Sequence, residues 1–274
     1  MDDNLHVPDF RHRPEASARW RMQAAHAISL LPAPARSALW RLWHDVDRMR
    51  RHRLEARGDY SRSSPAMHDL DAKLSRFLDL DRPGFFVEVG GGDGYHQSNT
   101  YRLERVFNWR GVLVEPVPSL HRSAVRERPG SHVFRCALVA PDYAHATVHL
   151  VYGGLMTTVA GARSSVEVDR DWVQIAHRRL QELPEHEFDA PARTLSSVLD
   201  ESGNPEIDLF SLDVEGFEVQ VLRGLDLDRH APRWILVEIR EGATSAEDVE
   251  AVLGDRYVKA EQLTPFDILY ARTD

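Results

Sequence analysis

A short apolar run that ends in glycines most constrains the fold of this chain. Phe85–Val89 are apolar apart from Glu88, the pattern of a buried parallel strand. Glycines at the end of such a strand let the backbone turn sharply and let a ligand approach it. Four follow almost at once: Gly90, Gly91, Gly92 and Gly94. Because a helix is predicted from about Gln97 to Phe107, we expect the first βα unit of a ligand-binding parallel sheet.

The spacing of these glycines distinguishes between classes of cofactor. The dinucleotide fingerprint needs glycines as G-x-G-x-x-G, and the third position counted from Gly90 falls on Tyr95. An acidic residue, Glu88, stands two positions before Gly90 instead, and Gly94 follows four positions later. This pattern resembles the first motif of S-adenosylmethionine-dependent methyltransferases. The alternative is a tight turn that binds no ligand.

Composition limits the class of protein. The chain has 274 residues, 42% of them hydrophobic and 28% charged, which is ordinary for a globular protein. The single cysteine, Cys136, excludes a disulfide framework and a cysteine zinc site. No apolar run is as long as a membrane span, and the first residues do not form a signal peptide, so we expect a cytoplasmic protein that does not contact a membrane. The basic residues are almost all arginine, which indicates a GC-rich, bacterial genome.

Charge is distributed unevenly along the chain. Its formal net charge is −9, although residues 1–65 are net basic. The strongly acidic remainder argues against nucleic acid as a partner. It is compatible with a cationic cofactor such as a sulfonium.

Two domains are expected, a helical extension over residues 1–65 and a catalytic domain over residues 66–274. In the extension, residues 1–16 are predicted to be a loose arm, and Ser37–Arg57 an amphipathic helix. Its apolar stripe is Leu39, Leu42, Trp43, Val46 and Met49, and its basic face carries Arg41, Arg48, Arg50 and Arg51. The basic face is predicted to be solvated rather than to bind an anionic partner, and the stripe to pack on the main domain or form a homodimer contact.

Strands and helices alternate through the second domain. Apolar runs at about 111–115, 132–139, 207–212 and 234–239 are separated by helical patterns, which predicts a mostly parallel sheet covered on both faces. Two closing strands, at about 256–261 and 266–272, are near enough to form an antiparallel hairpin.

Polar residues at the carboxyl ends of these strands are the candidates for a site, because open α/β sheets bind ligands there. Glu115 ends the second strand and suits a ribose diol. Ala137 is the candidate for contact with an adenine. Asp213, Glu215 and Glu238 would meet at the same edge, either to hold a divalent metal through their oxygens or to accept a proton from an acceptor hydroxyl. The alternative for Glu215 and for Glu218 is an acid that complements a helix dipole.

Together these motifs resemble the FkbM family of methyltransferases. The resemblance rests on Glu88–Gly94, Ser98–Tyr101, Val114–Pro116, Leu212–Gly216 and Val237–Ile239, in that order. It departs from the family at Glu88, where Asp is more frequent, and at Gly92, where many members have Asn.

The resemblance implies an α/β fold of the Rossmann-like class I methyltransferase type, with a mostly parallel seven-stranded sheet and a C-terminal antiparallel hairpin. It implies an enzyme that transfers a methyl group from S-adenosylmethionine to a hydroxyl of a small molecule, such as a sugar or a secondary metabolite in natural-product biosynthesis. Some related sugar O-methyltransferases need Mg²⁺. The expected cofactor-binding residues are Glu88, Gly90, Gly91, Gly92, Ser98, Asn99, Glu115, Ala137 and Asp213.

For catalysis we expect Asp213 to act as base or metal ligand, assisted by Glu238 or His96. His96 follows the glycine turn, and its alternative is an ordinary surface histidine. Residues 153–190, with a long polar helix at about 166–183, are predicted to form a lid or part of the acceptor pocket. Two other functions stay open at this point: transfer to nitrogen or to a carboxylate, and a cofactor-binding scaffold without catalysis.

Overall fold

The computed structural model describes residues 33–153, 156–162, 165, 167–171, 173, 186–203, 205–240 and 243–273. The chain divides into two compact units, residues 1–49 and 50–274. The expected division into an extension over residues 1–65 and a catalytic domain over residues 66–274 stays a prediction. The predicted loose arm lies outside the described residues, and so do the side chain of Trp43 and most of the predicted helix at 166–183.

The first described helix, α1 (Ala33–Glu55), matches the predicted amphipathic helix. Its apolar stripe at Leu39, Leu42, Val46 and Met49 is exposed. Arg51 is buried in the larger unit, where it donates to the hydroxyl of Tyr101 at 3.0 Å and pairs with Glu127. The expectation that the basic face is solvated is thus wrong at Arg51.

A seven-stranded sheet forms the centre of the larger unit, in the order β10-β11-β9-β8-β1-β2-β3. Its strands β1, β2, β3, β8 and β9 are parallel, and β11 runs antiparallel to both β9 and β10. This confirms the mostly parallel sheet with a C-terminal hairpin. The strands are β1 (Phe85–Val89), β2 (Arg110–Val114), β3 (Ser131–Phe134), β8 (Leu209–Leu212), β9 (Trp234–Glu238), β10 (Tyr257–Gln262) and β11 (Asp267–Arg272).

Helices connect the strands, and apolar clusters lie on both sides of the sheet. Phe86, Leu113 and Leu236 belong to one cluster, and Val87, Val112 and Ile235 to the other, as the alternation of side chains along a strand requires. The further helices are α2 (Leu70–Leu74), α3 (Tyr101–Phe107), α4 (Pro118–Glu127), α5 (Leu195–Glu201), α6 (Glu218–Arg223) and α7 (Ala246–Leu253), with 3₁₀ turns at Met67–Asp69 and Gly254–Arg256. In the described part of the chain, no helix has the length and apolarity of a membrane span.

A second sheet of four strands, in the order β4-β7-β5-β6, was not predicted. The run at 132–139 divides into β3 and β4 (Ala137–Leu138), and β4 leaves the main sheet to pair with β7 (Glu187–Arg193). Strand β5 (Thr147–Val151) pairs antiparallel with β7 and with β6 (Thr158–Val159). Between β6 and β7, residues 167–171 are helical.

Candidate active site

The glycine loop after β1 crosses close to the end of β8. Gly90 has φ +86°, and a Cβ built on it would lie 1.8 Å from the carbonyl oxygen of Asp213. Only glycine fits a position that combines this backbone conformation with this contact. The amides of Gly90 and Gly91 both donate to the carbonyl of Val114 at 3.1 Å, which holds the loop against β2.

The carboxylate of Glu88 is held by four donors. It accepts from the hydroxyl of Ser98 at 2.9 Å, the amide of Asn99 at 2.9 Å, the hydroxyl of Thr100 at 2.6 Å and Nη1 of Arg128 at 3.2 Å. Because two carboxylate oxygens offer about four lone-pair positions, these donors occupy most of its acceptor capacity. Glu88 therefore fixes the loop that follows the glycines.

Arg128 completes this network from the far end of α4. Its side chain is fully buried, and it also donates to Glu104 at 2.9 Å, to the hydroxyl of Thr100 at 2.9 Å and to the carbonyl of Gly94 at 3.3 Å. A buried guanidinium is stable only when its donors and its charge are matched, and Glu88 and Glu104 supply both. No sequence motif indicates this role, because Arg128 lies outside all of them.

A cleft of about 870 Å³, part of it open to solvent, lies at the carboxyl ends of β1, β2 and β8. It lies where an open α/β sheet binds ligands. Most of the predicted site residues line it: Gly90, Gly91, Gly92, His96, Ser98, Glu115, Ala137, Asp213 and Glu215. Glu88, Asn99 and Glu238 do not line the cleft.

Glu115 lies at the wall of the cleft with both oxygens oriented by backbone amides. Oε2 accepts from the amide of Gly92 at 2.8 Å, and Oε1 accepts from the amide of Val117 at 2.8 Å. Burial raises the pKa of Glu115 to about 8, although both amides favour the ionised form. Each oxygen keeps acceptor capacity beyond its amide, so two adjacent hydroxyls of a ligand could bind side by side.

His96 enters the cleft as part of a pair with Asp93. Nδ1 of His96 lies 2.6 Å from Oδ2 of Asp93, and Oδ1 accepts from the amides of Tyr95 and His96 at 3.0 and 2.8 Å. Burial would raise the pKa of Asp93, but its bonds with His96 outweigh this effect and lower it to about 2. The carboxylate thus fixes the orientation of the ring. Sequence reasoning selected His96 but missed Asp93.

Three carboxyl groups meet at the ends of β8 and β9, as predicted. Asp213, Glu215 and Glu238 each bring an oxygen within 4.8 Å of the other two. Burial, followed by the charges of Glu238 and Glu215, raises the pKa of Asp213 well above its usual value. Glu215 has φ +56°, an uncommon conformation for a residue with a side chain, so the backbone is strained where the carboxylates crowd.

Glu218 has a different setting from its neighbours. Its Oε1 accepts from the amides of Val214 and Gly216 at 3.2 and 3.0 Å, and its Oε2 accepts from the hydroxyl of Thr244 at 2.5 Å. It begins α6 and closes the preceding loop on itself, and its role at the helix dipole stays a prediction.

The second sheet supplies the wall opposite the glycine loop. Leu150, Thr157 and Val159 line the cleft, and the hydroxyl of Thr158 donates to the carbonyl of Glu215 at 3.0 Å. Cys136, Ala137, Leu138 and Phe217 also line the cleft.

The sequence profile of the methyltransferase FkbM domain matches residues 88–260, which is well over half of the chain and includes every motif described above. The chain belongs to the FkbM methyltransferase family. Among curated proteins, none matches it.

Solved structures of methyltransferases resemble this FkbM-family chain. The methyltransferase FkbM of Methylobacillus flagellatus is 15% identical, with a TM-score of 0.45 over 76% of this chain and 47% of that protein. The chain thus spans about half the length of that relative. A TehB-like SAM-dependent methyltransferase of Corynebacterium glutamicum is 11% identical, with a TM-score of 0.40 over 85% of this chain and all of that one.

The strand order of this FkbM-family domain is that of the class I methyltransferase fold, with the last strand of the chain inserted antiparallel beside β9. Residues 1–87 precede the matched region. The predicted fold class is therefore confirmed. The roles of the individual site residues stay predictions.

Proposed function

We propose that this FkbM-family domain is an S-adenosylmethionine-dependent O-methyltransferase, and that its acceptor is a hydroxyl of a small molecule such as a sugar or a secondary metabolite. The observation that carries the proposal is the cleft itself. A glycine loop, an amide-oriented carboxylate at the end of β2 and a buried carboxyl at the end of β8 line one cavity. S-adenosylmethionine would supply an electrophilic methyl group in this cleft.

The cofactor half would use β1, β2 and β4. Gly90–Gly92 leave room for the backbone to approach the ligand, and Glu115 accepts hydrogen bonds from the two ribose hydroxyls. Ala137 and its neighbours receive the adenine. Ser98 lines the cleft. Glu88 and Asn99 do not, and they stabilise the loop beside it through the hydrogen bond that joins them. Of the nine predicted cofactor-binding residues, Glu88 and Asn99 are thus assigned an indirect role, and Asp213 is assigned to the chemical step instead.

The chemical step would be an in-line displacement. The bond from sulfur to the methyl carbon breaks as the acceptor oxygen bonds to that carbon, and the acceptor proton passes to the protein. Asp213 is the proposed base, because it lines the cleft and because its raised pKa makes its carboxylate a stronger proton acceptor. Alignment of donor and acceptor would supply most of the rate enhancement.

His96 is the proposed assistant to Asp213. It lines the same cleft, and Asp93 fixes its ring, so it can contact an acceptor hydroxyl without reorienting. Asp93 is then a positioning residue. Its substitution by Asn should lower kcat and change the pH profile of turnover, while the affinity for the cofactor stays within about threefold of wild type.

Calorimetric titration with S-adenosylhomocysteine tests the cofactor half. Wild type should bind in the micromolar range. Above pH 8, where Glu115 is ionised, Glu115→Gln should bind about tenfold more weakly, since one charged hydrogen bond is worth roughly 1.5–3 kcal/mol. Asp228→Asn changes an exposed carboxylate outside the cleft and is the matched control. Absence of binding to wild type would overturn the methyltransferase proposal. An acceptor panel with hydroxyl, amine and carboxylate members then tests the transfer to oxygen.

A small-molecule acceptor rather than nucleic acid, a homodimer and a cytoplasmic location stay predictions from the sequence. The lid role of residues 153–190 is supported by Thr157 and Val159, which line the cleft. Size-exclusion chromatography with light scattering would test the dimer.

A further inference from the structure

The carboxylate cluster of Asp213, Glu215 and Glu238 has the spacing of a divalent-cation site. One oxygen from each side chain lies within 4.8 Å of the others, and hard cations such as Mg²⁺ take oxygen ligands at about 2.0–2.1 Å. Spacing alone does not decide whether a metal binds. The decisive question is which groups already occupy the oxygens.

Arg240 occupies both oxygens of Glu238. Its Nε donates to Oε2 at 2.8 Å and its Nη2 donates to Oε1 at 2.7 Å, which is the bidentate geometry that makes such pairs strong. The same Nε lies 4.0 Å from Oε2 of Glu215, so the guanidinium charge reaches a second member of the cluster.

The position of Arg240 is built into the sheet. Strand β9 ends at Glu238, and the amide of Ile239 donates to the carbonyl of Phe266 at 2.8 Å. The guanidinium carbon lies 5.1 Å from the centre of the Phe266 ring, close enough for a cation–π contact. Backbone and ring therefore hold Arg240 beside Glu238, and its side chain is only one third exposed.

We propose that Arg240 is the resident cation of this cluster and takes the place of a divalent metal, so that Asp213, Glu215 and Glu238 work without one. A divalent ion would have to displace a bidentate guanidinium from Glu238 and lose water from its own shell, which Mg²⁺ does reluctantly. This inference rests on the proposed function, because it assumes that the cluster takes part in methyl transfer. The expectation of Mg²⁺ is replaced by a positioning arginine that holds Glu238 against Asp213.

Titration with Mn²⁺, followed by electron paramagnetic resonance on the full chain, tests the proposal. Wild type should bind no Mn²⁺ at the cluster. Arg240→Ala should create one site with an affinity at least about tenfold above wild type, because removal of the guanidinium leaves three carboxylates for the ion. The double variant Arg240→Ala, Glu238→Gln should lose that site again, whereas Arg240→Lys, which keeps the positive charge, should remain without it.

Arg256→Ala is the matched control, because Arg256 pairs with exposed Asp228 outside the cluster. It should leave Mn²⁺ binding unchanged. The proposal is overturned if wild type binds Mn²⁺ and Glu238→Gln abolishes that binding. It is equally overturned if Arg240→Ala is folded by circular dichroism and gains no site.

Titration of the same proteins with S-adenosylhomocysteine separates this inference from the proposed function. Failure of wild type to bind the nucleoside would overturn the methyltransferase proposal and leave the Mn²⁺ comparison fully interpretable. Binding of the nucleoside together with Mn²⁺ binding by wild type would retain the enzyme and overturn the role of Arg240.

Discussion

The carboxyl groups in the two halves of the cleft have different surroundings. Around β1 and β2, Glu88 has four hydrogen-bond donors and Glu115 has two amides. Around β8 and β9, Asp213 faces Glu238 and Glu215, and Arg240 is the cation that pairs with Glu238. In the first half the carboxyl groups accept from fixed donors, although burial still raises the pKa of Glu115. In the second half the carboxyl groups crowd one another at an electrostatic cost.

On the proposed function, this difference separates binding of the cofactor from the proton transfer of the chemical step. A carboxylate with fixed donors has one geometry and suits the binding of a constant cofactor. A buried carboxyl beside other carboxyls has a shifted pKa and suits proton transfer, and groups of this kind concentrate at active sites. We therefore expect substitutions in the two halves to affect different quantities.

The largest effect is expected in the half around β8 and β9, which we propose binds the acceptor. Asp213→Asn removes the proposed base but keeps the shape of the side chain, so kcat on an identified acceptor should fall by about 10²–10⁴-fold. Binding of S-adenosylhomocysteine, measured by calorimetry, should change by no more than about threefold. A variant that loses affinity as strongly as turnover would place Asp213 in cofactor recognition instead.

In the cofactor half, Arg128→Leu should chiefly reduce stability. It leaves Glu88 and Glu104 buried without their cation, and such a loss costs about 3–5 kcal/mol in the free energy of unfolding. Urea denaturation measures it. Arg256→Ala, which breaks an exposed pair, should cost at most about 1 kcal/mol. Equal losses in the two variants would contradict the role of the buried network.

The contact between the two halves can be tested at the glycine loop. Gly90→Ala places a methyl group against the carbonyl of Asp213 at a positive φ, so unfolding free energy should fall by about 1–3 kcal/mol. Gly91→Ala meets the side chain of Leu113 at 3.1 Å, and that side chain can shift. The midpoint temperature of thermal unfolding should be much lower for Gly90→Ala than for Gly91→Ala. The reverse order would exclude close packing of the loop on β8.

A pH dependence should distinguish Glu115 from its neighbours. Its pKa is raised from 4.5 to about 8 in the folded state, so the folded protein holds the proton more tightly than the unfolded chain. Wild type should therefore lose stability relative to Glu115→Gln as the pH rises from about 4.5 to about 8. Urea denaturation of both proteins across this range measures the difference. A constant difference would show that Glu115 titrates normally.

The smallest effect is expected where the second sheet contacts the acidic loop. Thr158→Val keeps the side-chain shape but removes the hydrogen bond to the carbonyl of Glu215, which is worth about 0.5–1.5 kcal/mol. The KM for the acceptor should rise a few-fold at unchanged cofactor affinity. An effect on cofactor affinity alone would indicate that β6 belongs to the other half.

The central sheet followed from the sequence because its strands are buried on both faces and read as continuous apolar runs. The meeting of Asp213 with Glu238 also followed, since parallel neighbours end at the same edge. Strand β7 did not, because Pro191 and alternating charges interrupt it, and a proline within a run argues against a strand.

Side chains that act through distant partners were also missed. By its spacing Arg51 belongs to the face of α1 that was expected to be exposed. It is buried instead, because it pairs with Glu127, which lies 76 residues further along the chain. Arg128 is likewise explained by Glu88 and Glu104, which lie far from it along the chain. Local pattern carries no information on such long-range pairing.

The network around Arg128 determines how much the loop after β1 must order when a ligand binds. The amide of Asn99 lies in the loop between β1 and α3, yet it donates to Glu88 within a cluster closed by the buried guanidinium. We expect this amide to exchange its hydrogen with solvent as slowly as the amides of the strands, because it opens only when the ion pair opens. The loop is then rigid before a ligand arrives, and association loses no free energy to its ordering.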